Sequence, residues 1–275
     1  MTAERGGAIA PGLSIDLAKR RVLVVGASSG VGRAVGLLAC RAGARVAFAA
    51  RRRDRLEAVV AQAPGEALAV PCDVQDAGAC RAAVEAAVGA FGGLDAFVYA
   101  AGMAPLAMLE QATHAEWRAA LDTNLVGASL VTAAAIPHLR ASGGRAVYVS
   151  SYAIRQSLPG VGLYRVSKVA LDALIEDYRL EHPDLAFTRV VLGNTNGTEF
   201  ARDWGPERTG EVTRVWIERN LFPAPTMMPL ETAAEAIVSV LAFRGYVDDI
   251  AVMPRTRDAS AQPIASGDPH PSDAE

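Results

Sequence analysis

Tyrosine and lysine stand four residues apart in Tyr164-Arg-Val-Ser-Lys168. That is about one helical turn, so the phenol and the ammonium can share a face. A free phenol titrates near ~10 and is a poor acid or base at neutral pH. A neighbouring ammonium favours the phenolate and draws its pKa towards the working pH, where proton transfer to or from an alcohol or carbonyl oxygen is most efficient. Thirteen residues upstream, Ser151 closes the run RAVYVSS, with Ser150 as the competing hydroxyl. Taken alone, a Tyr-x-x-x-Lys pair describes an ordinary surface pair on a helix, and its meaning depends on what surrounds it.

A second constellation is Gly26-Ala-Ser28-Ser29-Gly30-Val31-Gly32, directly after the apolar run VLVV. At a glycine-rich turn from strand to helix, one glycine permits the reversal and another lets the backbone approach a pyrophosphate. A third allows close helix packing, while unpaired helix N–H groups face the anion. A dinucleotide fits there, although the spacing G-x-x-x-G-x-G departs from G-x-G-x-x-G. An acidic residue about 20 positions on would accept the ribose 2′-OH of NAD. This chain instead has Ala49-Ala50 followed by Arg51-Arg52-Arg53. A guanidinium is a planar fork suited to phosphate, so Arg51, with Arg52 behind it, is expected to hold the 2′-phosphate of NADP(H). Arg53 reads as part of a solvated charge cluster at a helix start.

These groups need a frame that brings them together. Short apolar runs at 22–26, 45–50, 67–74, 94–102, 145–151, 186–193 and 248–253 alternate with helix-like stretches at 31–43, 53–63, 76–91, 116–140, 162–181 and 231–243. Regular alternation predicts an α/β fold: a single doubly wound Rossmann domain with a parallel sheet of about seven strands and helices on both faces. Ligands of such a sheet bind at the carboxyl ends of its strands, where Ser151 and the glycine turn both fall. The expected organisation is a flexible segment over 1–19, the Rossmann domain over 20–253 and a tail over 254–275. That tail is rich in Pro, Ser, Ala and Asp and is expected to be disordered. Within the domain, 194–229 reads as an insertion, with Phe200, Trp204, Trp216, Phe222, Met227 and Met228 suggesting an apolar lid over a hydrophobic or ring-containing substrate.

Composition narrows the field. Of 275 residues, 51% are hydrophobic and 21% charged, which suits a globular chain with a large core. Twenty-seven basic against thirty acidic side chains leave a net charge of −3, with no broad footprint for nucleic acid or an anionic membrane. No apolar run reaches the ~18 to 20 residues of a membrane span, and no secretory leader is evident. Cys40, Cys72 and Cys80 form neither a disulfide framework nor a metal motif, and the four histidines lack metal-ligand spacing. A cytoplasmic protein without a metal is the expectation.

In combination these motifs resemble the short-chain dehydrogenase/reductase family, over roughly 21–253. The marks are the GASSGVG turn, Asp73-Val74 after the third strand, Asn124 in DTNLVG, Ser151, and Tyr164 with Lys168, in the family's order. The resemblance implies hydride transfer between nicotinamide and a carbonyl or alcohol substrate. Tyr164 would be the acid or base, and Ser151 would hydrogen-bond the substrate oxygen. Lys168 would lower the tyrosine pKa and bind the nicotinamide ribose, Asn124 would anchor a water in the proton relay, and Asp73 and Val74 would contact adenine. A homodimer or homotetramer built on the long helices around Asn124 and Tyr164 is also implied.

Three departures stand out. Tyr99-Ala100-Ala101-Gly102 replaces the usual Asn-Asn-Ala-Gly, with Ala101 and Gly102 keeping close backbone approach to the cofactor possible. Leu192-Gly193 replaces Pro-Gly, leaving Thr195 or Thr198 to supply a hydroxyl to the nicotinamide amide, with Thr195 preferred. Val25 stands where threonine is frequent. A protein that keeps the fold and binds NADP as a regulator or scaffold, without turnover, is the alternative function.

Overall fold

The computed structural model describes residues 15–221 and 226–255. The expectations for 1–14, for Phe222 and for 256–275 lie outside the described residues.

Seven strands alternate with helices as the apolar periodicity requires. In chain order they are β1 (Arg21–Val25), α1 (Gly30–Arg41), β2 (Arg45–Ala50), α2 (Arg53–Val60), β3 (Ala67–Pro71), α3 (Ala77–Phe91), β4 (Ala96–Tyr99), α4 (His114–Leu121), α5 (Gly127–Ser142), β5 (Arg145–Ser151), α6 (Gly162–Glu181), β6 (Ala186–Leu192), α7 (Pro206–Glu218), α8 (Leu230–Ala242) and β7 (Asp249–Val252). All pairings are parallel, in the order β3-β2-β1-β4-β5-β6-β7. Winding therefore reverses between β1 and β4, which opens a crevice at their carboxyl ends.

Strand side chains alternate between two cores, one on each face of the sheet. Val22, Val24, Val46 and Phe48 pack with Val35 of α1, Leu56 of α2 and Ile237 and Leu241 of α8. Their neighbours Leu23, Val25, Ala47 and Ala49 pack with Val84 of α3, Val131 and Leu139 of α5 and Leu171 and Ile175 of α6. Burial on both faces is why these strands read as unbroken apolar runs.

Two expectations need correcting. The single helix expected over 116–140 is α4 and α5 joined by a π turn at Asp122–Val126, in which Gly127 N–H bonds to Asp122 O, five residues back. The whole run His114–Ser142 is long and apolar enough, by length and composition, to cross a membrane. It lies on the sheet through Ala128, Val131, Ala135 and Leu139. The insertion is likewise more ordered than a loop, because 206–218 forms α7. Pro206 occupies its first turn, Glu207 favours the positive helix start, and Val212 and Trp216 four residues apart give it an inward face.

Candidate functional site

At the carboxyl end of the sheet lies a cavity of about 910 Å³. Gly26, Ser28, Ser29, Gly30, Val31, Arg51, Arg52, Asp73, Val74, Ala101, Gly102, Ser151, Tyr164, Lys168 and Thr195 all line it, whereas Gly32 and Asn124 do not. The sequence-selected residues thus converge from segments up to a hundred and more positions apart.

The glycine turn is built by close packing. Gly26 has φ +87°, and a Cβ there would sit 2.4 Å from Ala101 N. Gly32 faces inward, where a Cβ would sit 2.4 Å from Gly26 O and 3.3 Å from Ala100 Cβ, which explains its absence from the cavity wall. The small residues of Ala100-Ala101-Gly102 are therefore the other half of the turn. Gly30 faces the opening, where a Cβ would meet only Thr198 Cα, 3.7 Å away. Ser29 caps α1 without a side-chain bond to the helix N–H groups. This helix start has no side-chain cap and only Thr198 Cα beside Gly30, and it fits a pyrophosphate.

The arginines take unequal parts. Arg51 is exposed at the cavity edge, whereas Arg52 turns inward and donates to Ser28 Oγ (2.9 Å), Ser29 Oγ (3.2 Å) and Glu199 Oε2 (2.8 Å). Arg55, one turn along α2, donates to the other Glu199 oxygen at 2.7 Å. Arg53 pairs with Glu57 on the helix surface, in keeping with a solvated helix start.

Tyr164 is 8% exposed and lies on the first turn of α6, with Lys168 one turn on and 3% exposed. The Lys168 Nζ is 5.9 Å from the phenol ring centroid and donates to Val149 O at 2.8 Å. Burial pushes the Tyr164 phenol up to about 12, against a downward pull from its hydrogen bond with Ser151. Burial also brings Lys168 down to about 8, opposed by the charge of Asp172. The two serines divide by strand alternation: Ser150 donates to buried Asp172 Oδ1 at 2.6 Å, while Ser151 is the one that meets the phenol. Asp172 also accepts from Arg189 Nη1 at 3.2 Å. Sequence reading missed Asp172, although its position four residues past Lys168 is a helical-spacing signal.

Asn124 is fully buried in the π turn. Its Oδ1 accepts from Met103 N (2.8 Å), and its Nδ2 donates to Met103 O (2.9 Å) and Ser167 Oγ (2.8 Å). The amide thereby ties the segment after β4 to α6. A Cβ on Gly102 would lie 3.4 Å from Asn124 Oδ1 and 3.7 Å from Lys168 Nζ, so these groups flank one point of the backbone. Tyr99, where the resembled family has asparagine, donates its buried phenol to Thr123 O at 2.6 Å. That bond ties the end of β4 to the π turn.

Residues after β6 fold back over the cavity. Thr195 pairs as an isolated bridge with Met228, and its hydroxyl donates to Gly193 O at 2.9 Å. Thr198 Oγ1 donates to Thr195 O at 3.4 Å. Phe200 meets the Tyr164 ring edge-on, with centroids 5.0 Å apart, and Trp204 at 5.5 Å. Indole N–H groups fasten the segment down, Trp204 to Ala104 O (2.8 Å) and Trp216 to Pro159 O (3.0 Å). Arg208 pairs with Glu116 of α4. Arg165 also lines the cavity, and its Nε is the one buried side-chain nitrogen or oxygen without a hydrogen-bond partner among the described residues.

A parallel sheet wound both ways from a glycine-rich turn places the molecule in the Rossmann class of α/β proteins. The family model for short chain dehydrogenase matches residues 20–209, and the chain belongs to that family. A similar protein, 11-beta-hydroxysteroid dehydrogenase-like 3 of Arabidopsis thaliana, is 35% identical over 184 residues, 65% of this chain and 60% of that protein. The 11-beta-hydroxysteroid dehydrogenase 1A of the same plant is 39% identical over 187 residues, 66% of this chain and 53% of the relative. The match thus spans little more than half of those relatives' length. Among solved structures, a short chain dehydrogenase from Burkholderia cenocepacia in complex with NADP superposes with a TM-score of 0.74. It is 27% identical, with 86% of this chain and 97% of that one covered. An alcohol dehydrogenase from Thermococcus sibiricus, complexed with 5-hydroxy-NADP, gives 0.74 at 24% identity over 85% of this chain and 95% of its own, a likeness of fold.

Proposed function

We propose that the protein is an NADP(H)-dependent oxidoreductase acting on a carbonyl or alcohol carried by a largely apolar small molecule. The observation that carries this reading is the buried Tyr164 phenol, which lines one cavity together with Ser151, Lys168, the glycine turn and Arg51 and Arg52. When bound, the nicotinamide would supply the hydride acceptor or donor. The α1 N-terminus and Gly30 would hold the pyrophosphate, Arg51 and Arg52 the 2′-phosphate, Asp73 and Val74 the adenine, and Thr195 the nicotinamide amide.

Tyr164 and Ser151 do the chain's share of the chemistry. Ser151 orients the substrate oxygen by hydrogen bonding, and Tyr164 Oη gives its proton to that oxygen as it becomes an alkoxide. A phenol near 12 is protonated at neutral pH and is a stronger acid than an alcohol, so reduction is the direction its resting form supports. The same phenolate takes the proton back in oxidation. Lys168 adds positive charge beside the phenol below about pH 8. Phe200, Trp204 and Trp216 give this end of the cavity an apolar wall.

Exposed Val126, Val166 and Val169 on the π turn and α6 support a homo-oligomer formed on these helices. Free, buried Cys40, Cys72 and Cys80 suit a reducing cytoplasm.

Fluorescence titration with NADPH and NADH tests the cofactor, using wild type, Arg51→Ala and Arg52→Ala. Loss of one charge-assisted contact, about 1.5–3 kcal/mol, is expected to weaken NADPH binding about tenfold to a hundredfold and to spare NADH. Equal binding of both cofactors by wild type rejects the 2′-phosphate assignment. Tyr164→Phe is expected to keep NADPH affinity and lose carbonyl reduction. Unchanged turnover in that variant removes the acid role, and NADPH binding without turnover of any carbonyl by wild type favours a regulatory nucleotide-binding protein.

A further inference from the structure

Among the described residues, Glu199 is the carboxylate that accepts the most hydrogen bonds from protein donors. Its Oε2 accepts from Arg52 Nη2 (2.8 Å), Arg202 Nη1 (2.7 Å) and Ser29 Oγ (3.0 Å), and its Oε1 from Arg55 Nη1 (2.7 Å) and Arg52 Nη1 (3.4 Å). These donors, Arg52 first, hold the carboxyl down at about 2. Two of them, Arg52 and Ser29, belong to the groups assigned above to the cofactor's phosphates. Three guanidinium groups and a hydroxyl converging on one anion form a site for a phosphate, which offers three oxygens and nearly twice the charge. Asp203 neutralises part of Arg202 at 3.1 Å, which leaves the cluster net positive.

Chain direction links this cluster to Tyr164. Thr198 Cα lies over Gly30, Glu199 points into the arginines, and the next residue, Phe200, packs its ring edge-on against Tyr164. Gly197, at φ +72°, makes the turn that leads into the three residues. An anion taking the place of the Glu199 carboxylate would displace a side chain whose next neighbour in the chain is the ring packed on the phenol.

We propose that Glu199 is an internal competitor for the cofactor's 2′-phosphate and determines cofactor selectivity, and that its displacement shifts Phe200 on Tyr164. The proposal rests on the NADP(H) reading. It makes the 2′-phosphate, rather than the nucleotide as a whole, the signal that reorganises the wall beside the phenol. A latch closed about nine-tenths of the time raises the apparent Kd of a phosphorylated ligand about tenfold. A nucleotide lacking the 2′-phosphate brings nothing to exchange with the carboxylate.

The test uses two probes without nicotinamide, adenosine 2′,5′-bisphosphate and adenosine 5′-monophosphate, on the full chain. Binding is measured by calorimetry, and the environment of Trp204, which touches Phe200, by tryptophan emission. With wild type, the bisphosphate is expected to change the emission and the monophosphate to leave it; Trp204→Phe should abolish the change. Glu199→Gln is expected to bind the bisphosphate about tenfold tighter with the monophosphate within about twofold. Glu199→Asp, which keeps the charge on a shorter arm, should fall between. Asp203→Asn makes the same charge change without touching Arg52 and should stay within about twofold of wild type, which separates a latch from general electrostatics.

If Arg52→Ala weakens the bisphosphate but Glu199→Gln does not tighten it, or Asp203→Asn tightens it equally, the latch is wrong and the cofactor reading stands. If Glu199→Gln binds the bisphosphate tighter but the bisphosphate leaves the wild-type emission unchanged, the link to Phe200 is wrong. If wild type binds both probes alike and Arg52→Ala changes neither, the cofactor reading fails and the latch with it.

Discussion

Lys168 should be a stability liability that can be measured directly. The residue is 3% exposed, and burial lowers its pKa from 10.5 to about 8 despite the opposing charge of Asp172. Between those two values the unfolded chain holds a proton that the folded chain has released, so stability rises with pH through that window. Below pH 8 both states are protonated and the folded state carries the full penalty. At about 1.4 kcal/mol for each tenfold change in proton affinity, that penalty is about 3 kcal/mol. Lys168→Met keeps the apolar stem, removes the charge and forfeits the hydrogen bond to Val149 O, worth about 1 kcal/mol. Near pH 7 the variant should therefore be more stable by about 2 kcal/mol, a rise in Tm of roughly 4–8 °C. The gain should shrink steadily above pH 8, vanish at about pH 10, where the remaining burial penalty only matches the lost hydrogen bond, and turn into a small loss by pH 10.5. Thermal unfolding of both proteins from pH 6 to pH 10.5 reads this out. A variant that is less stable at pH 7, or a gain that does not change with pH, would refute the argument that burial governs Lys168. Carbonyl reduction should fall in the same variant, the usual exchange of stability for a prepared site.

Two further outcomes follow from the same geometry. Gly26→Ala sets a side chain at φ +87° with its Cβ 2.4 Å from Ala101 N. It is expected to cost about 2 kcal/mol or more and to abolish NADPH binding; thermal unfolding with a titration decides, and unchanged values contradict the packing described. With the phenol near 12, reduction should stay level in its Tyr164 dependence from about pH 6 to pH 9, while oxidation of an alcohol should rise with pH as phenolate accumulates. Initial rates in both directions check this, and an oxidation rate that falls with pH runs against the assigned role of Tyr164.

Local pattern carried much of the architecture. Runs such as Arg45–Ala50, Arg145–Ser151 and Gly162–Glu181 have the limits that the sequence suggests, because burial on both faces of a parallel strand and the helical apolar period are properties of neighbouring residues. The glycine turn and the Tyr164–Lys168 pair were legible for the same reason: their function depends on spacing along one element. The π turn at Asp122–Val126 was not, since it coincides with a bond from Tyr99 to Thr123 O across 24 positions. Helix α7 left a local signal in Pro206, Val212 and Trp216, but that signal was absorbed into the reading of a long insertion.

Tertiary structure alone decided which groups meet. Strand alternation is local, yet only the packing of α6 against β5 sends Ser150 to Asp172 and Ser151 to Tyr164. The sequence separates Arg53 from Arg51 and Arg52 but gives Arg51 the leading part; Arg52 is distinguished by the glycine turn on one side and by Glu199, 147 positions away, on the other. Such contacts leave no periodicity because the free energy that makes them is not spent on forming an element. It comes from desolvated charges finding partners once the sheet has brought distant loops to one edge, and that pairing is fixed by the closed chain rather than by any segment of it.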